Sequence, residues 1–348
     1  MKAAVLFGNR DLRYTDWETP VVRPGTVRVR VRAAGICGSD VPRVLRNGAH
    51  FYPIVLGHEF SGDVVEVGEG VTSLKTGDTV SGIPLLPCMR CRDCVRGNYA
   101  LCKHYSFIGS REQGAFADYV VLPEINAIPY YRGIPYEHAA MFEPAAVSLH
   151  GLRQGEFRGG GSVAVLGCGT IGIFALQWAR IFGARNLAAF DIDSSRLALA
   201  ERMGADSAIN TLEPDFLDRA LEMTKGQGFD YVFETAGNAV TMKMAFELAA
   251  NKAQLCFIGT PGSDLTFTPR QWENMNRKEF HLTGSWMSYS SPFPGEEWSL
   301  TAHFFKNGGL RFDPSLIFRT YPMSQAAEAF QLYLEPSRVH GKIMLTNG

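Results

Sequence analysis

The feature that most constrains the fold is a short run near the middle of the chain. Ser162-Val163-Ala164-Val165-Leu166 leads straight into Gly167-Cys168-Gly169-Thr170-Ile171-Gly172. An apolar run of this kind is expected for a strand buried on both faces. Helical spacing follows over residues 170–182, and a second apolar run, 187–190, ends at Asp191. Strand, glycine turn, helix and an acidic residue about 20 positions on together make the G-x-G-x-x-G fingerprint of a dinucleotide site. Gly167 permits the tight turn, Gly169 keeps a side chain out of the way of a pyrophosphate, and Gly172 lets helix and strand approach closely. The free N–H groups of the helix start, at Thr170 and Ile171, suit phosphate oxygens. A carboxylate at Asp191 accepts hydrogen bonds from both ribose hydroxyls and repels a 2′-phosphate, so NAD is expected rather than NADP. Arg196 is the complication: its guanidinium either hosts such a phosphate or stacks on adenine.

The chain has 348 residues, of which 46% are hydrophobic. That is long for one core and sufficient for two. Residues 1–147 read as strands, turns and loops. Val27-Arg28-Val29-Arg30-Val31-Arg32 alternates strictly, as a half-buried strand does. Segments 61–67 and 78–81 look similar, and little helix is evident, so a barrel-like β domain is expected. Residues 148–289 alternate strands and helices, with a helix over 195–203 and further strands at 231–233, 255–258 and 281–283. That pitch argues for a doubly wound α/β fold with a parallel sheet. Residues 290–348 carry a helix near 324–334 and a last strand over 342–345, and are expected to return to the first domain. The formal net charge of -1 gives no electrostatic reason to expect nucleic acid or a membrane surface as partner. No apolar run approaches the roughly 20 residues that span a bilayer. The apolar start of the chain is too short for a signal-peptide core and reads as a first strand. A cytoplasmic protein is expected.

Four of the seven cysteines crowd one stretch, as Cys88-x2-Cys91-x2-Cys94-x7-Cys102. In a reducing compartment such a cluster means metal more often than disulfide. Four thiolates can surround one tetrahedral Zn²⁺ and leave no place for water or substrate, so the site is expected to be structural. A four-iron cluster is the competing reading. Arg90, Arg92, Asp93 and Arg96 keep the loop polar.

Three other segments offer ligands. Cys37 and Ser39 lie in Gly35-Ile36-Cys37-Gly38-Ser39-Asp40, His58 and Glu59 in Gly57-His58-Glu59-Phe60-Ser61-Gly62, and Glu143 in Phe142-Glu143-Pro144. Thiolate, imidazole and carboxylate all suit Zn²⁺, and three protein ligands leave one position open. A cation with an open position makes an alcohol easier to deprotonate. Each residue alone has a plainer role: Cys37 as core filler, His58 as a satisfied polar group, Glu143 as the start of a turn.

Together these motifs resemble the zinc-containing alcohol dehydrogenases of the medium-chain superfamily. Gly57-His58-Glu59-x2-Gly62-x5-Gly68 is similar to that family's signature, and the cysteine lobe and the fingerprint stand in its order. The resemblance covers essentially the whole chain and implies a GroES-like catalytic domain and a Rossmann domain. It also implies two zinc ions per chain, one catalytic and one structural, and a homodimer or homotetramer paired through the edge of the Rossmann sheet. By the same resemblance, Cys37, His58 and Glu143 match the catalytic zinc ligands. Glu59 matches a carboxylate that binds or approaches the metal, Ser39 the hydroxyl that passes the substrate proton to solvent, and Asp40 the carboxylate that orients His58. Ethanol-type members place a cysteine where this chain has Glu143. Glutamate there resembles the polyol dehydrogenases, and the mixed shell makes a harder, more Lewis-acidic zinc. Segments 47–53, 107–111 and 284–292 resemble the polyol-phosphate dehydrogenases of the family, which oxidise a secondary alcohol of a hexitol phosphate with NAD to a ketose phosphate. Arg43, His50, Arg111, Trp286 and Tyr289 are the candidate substrate contacts, Arg46 a further cation nearby. The alternatives are an unphosphorylated polyol (sorbitol-like) or L-threonine-type dehydrogenase, and, more remotely, a non-catalytic NAD-binding zinc protein.

Overall fold

The computed structural model describes residues 1–335 and 339–348 and divides into two compact units. The first comprises Met1–Glu143, Tyr289–Gly308 and Pro314–Gly348; the second comprises Pro144–Ser288 and Gly309–Asp313. The boundaries expected after residues 147 and 289 therefore move to 143 and 288. Gly309–Asp313 also leaves the C-terminal return. It is fastened to the second unit, where the Arg311 N–H donates to Gln177 Oε1 at 2.7 Å and Asp313 pairs with Arg202 at 3.0 Å.

Strand Thr26–Gly35 organises the first unit. Val27, Val29 and Val31 are fully buried while the intervening arginines face outward, which is what the alternating sequence requires. Its first half pairs antiparallel with Tyr119–Pro123, and its end, Ala33 to Gly35, with Thr346 to Met344 of the last strand. Glu59–Val67 runs along its other edge. The full sheet runs Ala127–Pro129, Thr79–Gly82, Glu59–Val67, Thr26–Gly35, Lys342–Thr346, Ile317–Pro322. A three-stranded sheet of Asp11–Asp16, Lys2–Gly8 and Ile54–Val55 packs on a shared core that includes Leu6, Val29, Phe60, Phe116 and Phe330. Each such side chain, fully buried, contributes about 1.5–3 kcal/mol relative to exposure. A short ribbon, Leu85–Leu86 against Ser106–Phe107, brackets the cysteine-rich loop.

Two helices were not announced by the sequence, one in this unit and one that starts here and continues into the second. Asp40–Leu45 is too short to display a period. Phe142–Gln154 begins beside Pro144, which reads as a turn but is tolerated in the first turn of a helix, where its missing N–H has no partner to lose.

The second unit is a six-stranded, wholly parallel sheet. In chain order its strands are Ser162–Leu166, Asn186–Asp191, Ser207–Asn210, Phe229–Glu234, Ala249–Phe257 and His281–Gly284, and in space they run third, second, first, fourth, fifth, sixth. That is the doubly wound order, with the first strand central. All five residues of Ser162–Leu166 are buried, as the apolar run implied. Helix starts are fixed locally. Asp193 accepts the N–H groups of Ser195 and Arg196, Asn238 that of Val240, and Thr268 forms a reciprocal box with Gln271; each cap contributes about 1 kcal/mol. Among the described residues no helix is long and apolar enough to cross a membrane.

Candidate metal centres and dinucleotide site

The cysteine lobe is built by local backbone geometry. Cys91 precedes the single helical turn Arg92–Val95, and the Val95 N–H closes back on the Cys91 carbonyl at 3.0 Å. Cys102 follows the turn Tyr99–Leu101. One sulfur from each of Cys88, Cys91, Cys94 and Cys102 falls within 4.8 Å of the others. Cys88 and Cys94 lie 4.0 Å apart and Cys91 and Cys102 3.8 Å apart. A Zn–S bond of about 2.3 Å puts tetrahedral sulfurs about 3.8 Å from one another. The spacing therefore fits one ion, is too long for a disulfide, and is tighter than a four-iron cluster would leave it. Backbone N–H groups, first that of Arg90, hold the Cys88 thiol down at about 6, while burial pushes Cys94 up to about 12.

The second cluster is assembled from distant segments. Strand Thr26–Gly35 delivers Cys37 just past its end, and Glu59–Val67, paired with it, starts just after His58. Cys37, His58 and Glu59 each place a ligand atom within 4.8 Å of the other two. Glu143 is not in that trio. It is buried at the second position of Phe142–Gln154, whose first residue is held by stacking on Phe305 at 5.0 Å. His58 is buried, and its Nδ1 lies 3.5 Å from Asp40 Oδ1. That is too long and poorly aligned to count as a formed hydrogen bond. Asp40 itself is held by the Cys37 N–H, which donates to its Oδ2 at 3.1 Å. Ser39 is exposed, with its Oγ 3.4 Å from Cys37 Sγ.

Electrostatically this pocket asks for positive charge. Burial opposes a proton on His58, yet Asp40 and Cys37 outweigh it and carry the imidazole well above its ordinary value. Burial, then the charge of Glu59, pushes Glu143 up to about 7. The His58 shift reflects nearby negative charge, and the Glu143 shift reflects burial first and Glu59 second. A divalent cation held by Cys37, His58 and a carboxylate answers that negative charge, and the donor set suits zinc.

One buried charge beside the cluster escaped sequence reasoning. Lys342 Nζ donates to both Glu59 oxygens, at 2.6 and 2.8 Å, and both side chains are buried. Register explains the pairing. Gly35 stands between the two strands, opposite Glu59, and any Cβ there would strike the Glu59 carboxylate. Burial opposes the Lys342 charge, but Glu59 and Cys37 raise its pKa above the usual range. Glu59 thus already has a cation partner beside the ligand cluster. The available signal was a lysine heading an otherwise apolar strand, Lys342-Ile343-Met344-Leu345.

The second unit carries the glycine turn as expected. Gly167 has φ +95°, and a Cβ on Gly172 would overlap the Gly167 carbonyl. Nothing lies within 4 Å of where a Gly169 Cβ would stand. Thr170 and Ile171 open helix Thr170–Ile181 and stay partly exposed. Asp191, at the end of its strand, accepts N–H groups from Cys168 (2.7 Å), Ile192 (2.8 Å) and Asp193 (3.0 Å). Its carboxylate is fixed against the glycine turn. Arg196 is half-buried, its backbone N–H engaged by Asp193. Two supports went unread in the sequence. The Thr235 hydroxyl is within bonding distance of the Leu166 and Gly167 carbonyls, and buried Glu234 accepts the Ala236 and Gly237 N–H groups.

Residues 23–132 match the alcohol dehydrogenase GroES-like domain, and residues 170–304 match the zinc-binding dehydrogenase domain. The chain belongs to the medium-chain, zinc-binding alcohol dehydrogenase family. Among relatives of this dehydrogenase, galactitol 1-phosphate 5-dehydrogenase of Escherichia coli K12 is 41% identical over 293 residues, 84% of this chain and 85% of that one. The crystal structure of galactitol-1-phosphate dehydrogenase from Escherichia coli superposes with a TM-score of 0.93 at 37% identity, covering 100% of both chains. L-threonine 3-dehydrogenase of Symbiobacterium thermophilum is 36% identical over 258 residues, 71% of each chain. The β-rich unit of the dehydrogenase is therefore GroES-like and its parallel unit Rossmann-type, as the sequence suggested.

The substrate candidates divide. Arg43, His50 and Arg111 are at least partly exposed in the first unit, and Trp286 is 52% exposed in the second. Tyr289 is corrected. It is buried, its hydroxyl accepts the Leu85 N–H at 3.2 Å, and its ring stacks with Phe293 and Trp298. An aromatic so enclosed packs the first unit and has no face left for substrate.

Proposed function

We propose that this dehydrogenase oxidises a secondary alcohol of a polyol phosphate, of the galactitol 1-phosphate kind, with NAD, giving a ketose phosphate. The observation that carries the reading is the Cys37, His58 and Glu59 trio, whose ligand atoms lie within 4.8 Å of one another beside the exposed Ser39 hydroxyl. Cys37, His58 and Glu143 would hold the zinc ion, which when bound supplies Lewis acidity toward the carbinol oxygen. Asp40, 3.5 Å from His58 Nδ1, would orient that ring by closing the gap, and Lys342 balances the buried Glu59 charge. Ser39 takes the hydroxyl proton and passes its own to solvent. Gly167, Gly169, Gly172 and Asp191 would hold NAD, which when bound supplies a hydride acceptor. Asp191 favours NAD there, because its fixed carboxylate would repel a 2′-phosphate. Cys88, Cys91, Cys94 and Cys102 would hold a second, structural ion, for which a reducing cytosol is the fitting compartment.

The identity to galactitol 1-phosphate 5-dehydrogenase supports the phosphorylated substrate; the identity to L-threonine 3-dehydrogenase keeps an amino-alcohol substrate as the second reading. NADH formation by the pure, zinc-replete protein, measured across phosphorylated hexitols, free polyols and L-threonine, decides between them. No turnover of any polyol would overturn the proposal. Asp191→Ala is expected to lower the preference for NAD over NADP by about tenfold, the worth of one charge-assisted hydrogen bond; an unchanged ratio would mean another residue reads the ribose.

Self-association through the strand His281–Gly284 is part of the same reading. That strand is one of the two sheet edges, and Leu282 on it is 42% exposed, a template for pairing with a second copy. Sedimentation of Leu282→Lys against the unsubstituted chain tests it. A dimer or tetramer is expected to give way to smaller species.

A further inference from the structure

Beside the Cys37–His58 cluster the first unit gathers two arginines and a histidine from three separate segments. Arg43 projects from helix Asp40–Leu45. His50 sits on the loop before Ile54–Val55, and Arg111 on the turn after Ser106–Phe107. The two loops are stitched together. Gln113 Oε1 accepts the Val55 N–H at 2.7 Å, its Nε2 donates to the Pro53 carbonyl at 3.4 Å, and the Gly114 N–H donates to the Val55 carbonyl at 2.7 Å. Arg111 is closed into its turn by its N–H on the Phe107 carbonyl at 2.8 Å, and the Phe107 ring lies edge-on to His58 at 5.5 Å. The turn that carries Arg111 is thus one ring away from a proposed metal ligand.

Acid does not balance the two arginines. The Arg111 guanidinium lies over the Tyr105 ring at 4.7 Å and makes no ion pair among the described residues. All the polar contacts of Arg43 run through Nη1, to Ser39 O (2.8 Å), Ser39 Oγ (2.9 Å) and Asp40 Oδ1 (3.3 Å). Its Nη2 and Nε are left over. Asp40 is the carboxylate in reach, and it is buried and engaged with the Cys37 N–H. Burial, then the charges of Arg111 and Arg43, hold the His50 imidazole below its ordinary value, which places the three groups in one field. The two arginine charges repel unless an anion sits between them, and the neutral imidazole can share its proton with that anion.

We infer that Arg43, His50 and Arg111 form a clamp for the phosphate of a phosphomonoester substrate, and that Arg43, bonded to the Ser39 hydroxyl, couples phosphate binding to the proton step. The inference rests on the polyol-phosphate reading above and adds the residues that enforce it. Arg111 offers a free planar fork, the geometry that takes two phosphate oxygens at once. Arg43 offers its remaining nitrogens to a third while Nη1 holds Ser39 Oγ in place. A bound phosphate therefore fixes the Arg43 side chain and, through it, the hydroxyl that receives the carbinol proton. Arg43 is a positioning residue, and a substrate without phosphate loses rate as well as affinity.

The test uses the zinc-loaded protein with NAD, comparing a phosphorylated hexitol with the same hexitol unphosphorylated. Arg111→Ala is expected to cut the ratio of kcat/KM values between the two by about 30-fold or more, the usual loss when one partner of a charge-assisted contact is removed, chiefly through KM. Arg43→Lys, which keeps charge and loses the fork, is expected to lower kcat as well; Arg43→Gln serves if the lysine variant does not fold. Calorimetric titration with inorganic phosphate supplies a readout independent of turnover. Binding by the unsubstituted protein, competitive with the phosphorylated hexitol and lost in Arg111→Ala, supports the clamp. An unchanged substrate ratio in both variants, with the unsubstituted enzyme active, overturns the clamp and leaves the reaction standing. A change in KM alone for Arg43→Lys overturns the coupling. Failure of the unsubstituted enzyme on every polyol removes the reading on which the clamp rests.

Discussion

Two clusters in the first unit offer sulfur to a metal, and they are built in opposite ways. Cys88, Cys91, Cys94 and Cys102 come from one loop of 15 residues counted from Cys88 to Cys102, bracketed by a two-stranded ribbon. Their sulfurs meet at the separations of a closed tetrahedron. Cys37, His58 and Glu59 come from the end of one strand and the start of another, with buried Glu143 on a helix start outside the trio, and their neighbours are the charged groups Asp40 and Lys342. The first cluster would satisfy an ion completely and leave no position for a substrate. The second surrounds a place for an ion with carboxylates, a lysine and an exposed hydroxyl. The contrast teaches that saturation of the ligand shell stabilises a loop, whereas an incomplete shell in a field of buried charges prepares a reaction.

The contrast can be broken by four substitutions. The largest effect is expected from His58→Ala, which should reduce turnover to background while circular dichroism and NAD binding stay near those of the unsubstituted chain. Cys94→Ser should do the converse. It should release zinc and lower the thermal midpoint, because the ion there is bound free energy of folding; unchanged metal content and midpoint would mean that the lobe holds no ion. Next comes Lys342→Met, which strands the buried Glu59 carboxylate and should cost about 3–5 kcal/mol in denaturant unfolding. A cost below about 1 kcal/mol, the usual worth of an exposed pair, would place the pair in solvent. The smallest effect is expected from Asp40→Asn. Loss of the carboxylate behind the His58 ring should weaken zinc retention or activity by about 10–100-fold, measured by competition with a chelator, without disturbing the cysteine lobe.

How much of this was readable from the chain depended on how local each feature is. The cysteine lobe and the glycine turn were plain because their spacing is short and their partners lie within one loop or one strand–turn–helix. The alternation of Val27 to Arg32 and the apolar run Ser162–Leu166 translated directly into burial. Lys342 was missed because its partner is 283 residues away in sequence, joined only by sheet register across Gly35. Tyr289 was misread for a related reason: an aromatic residue near a specificity segment looks the same whether it faces a ligand or, as here, Trp298 and the Leu85 N–H. Helix Phe142–Gln154 was hidden by Pro144, whose usual meaning is a turn. Strand Ser207–Asn210 is four residues long and mostly half-exposed, too little for a pattern to register.

Zinc stoichiometry tests the central claim most directly. The purified, zinc-replete protein, measured by plasma mass spectrometry beside the double variant Cys37→Ser/His58→Ala, should carry two ions per chain, one for each cluster, and the variant, still folded, one. A single ion in both proteins would contradict the account, since the ligands beside Ser39 would then hold nothing.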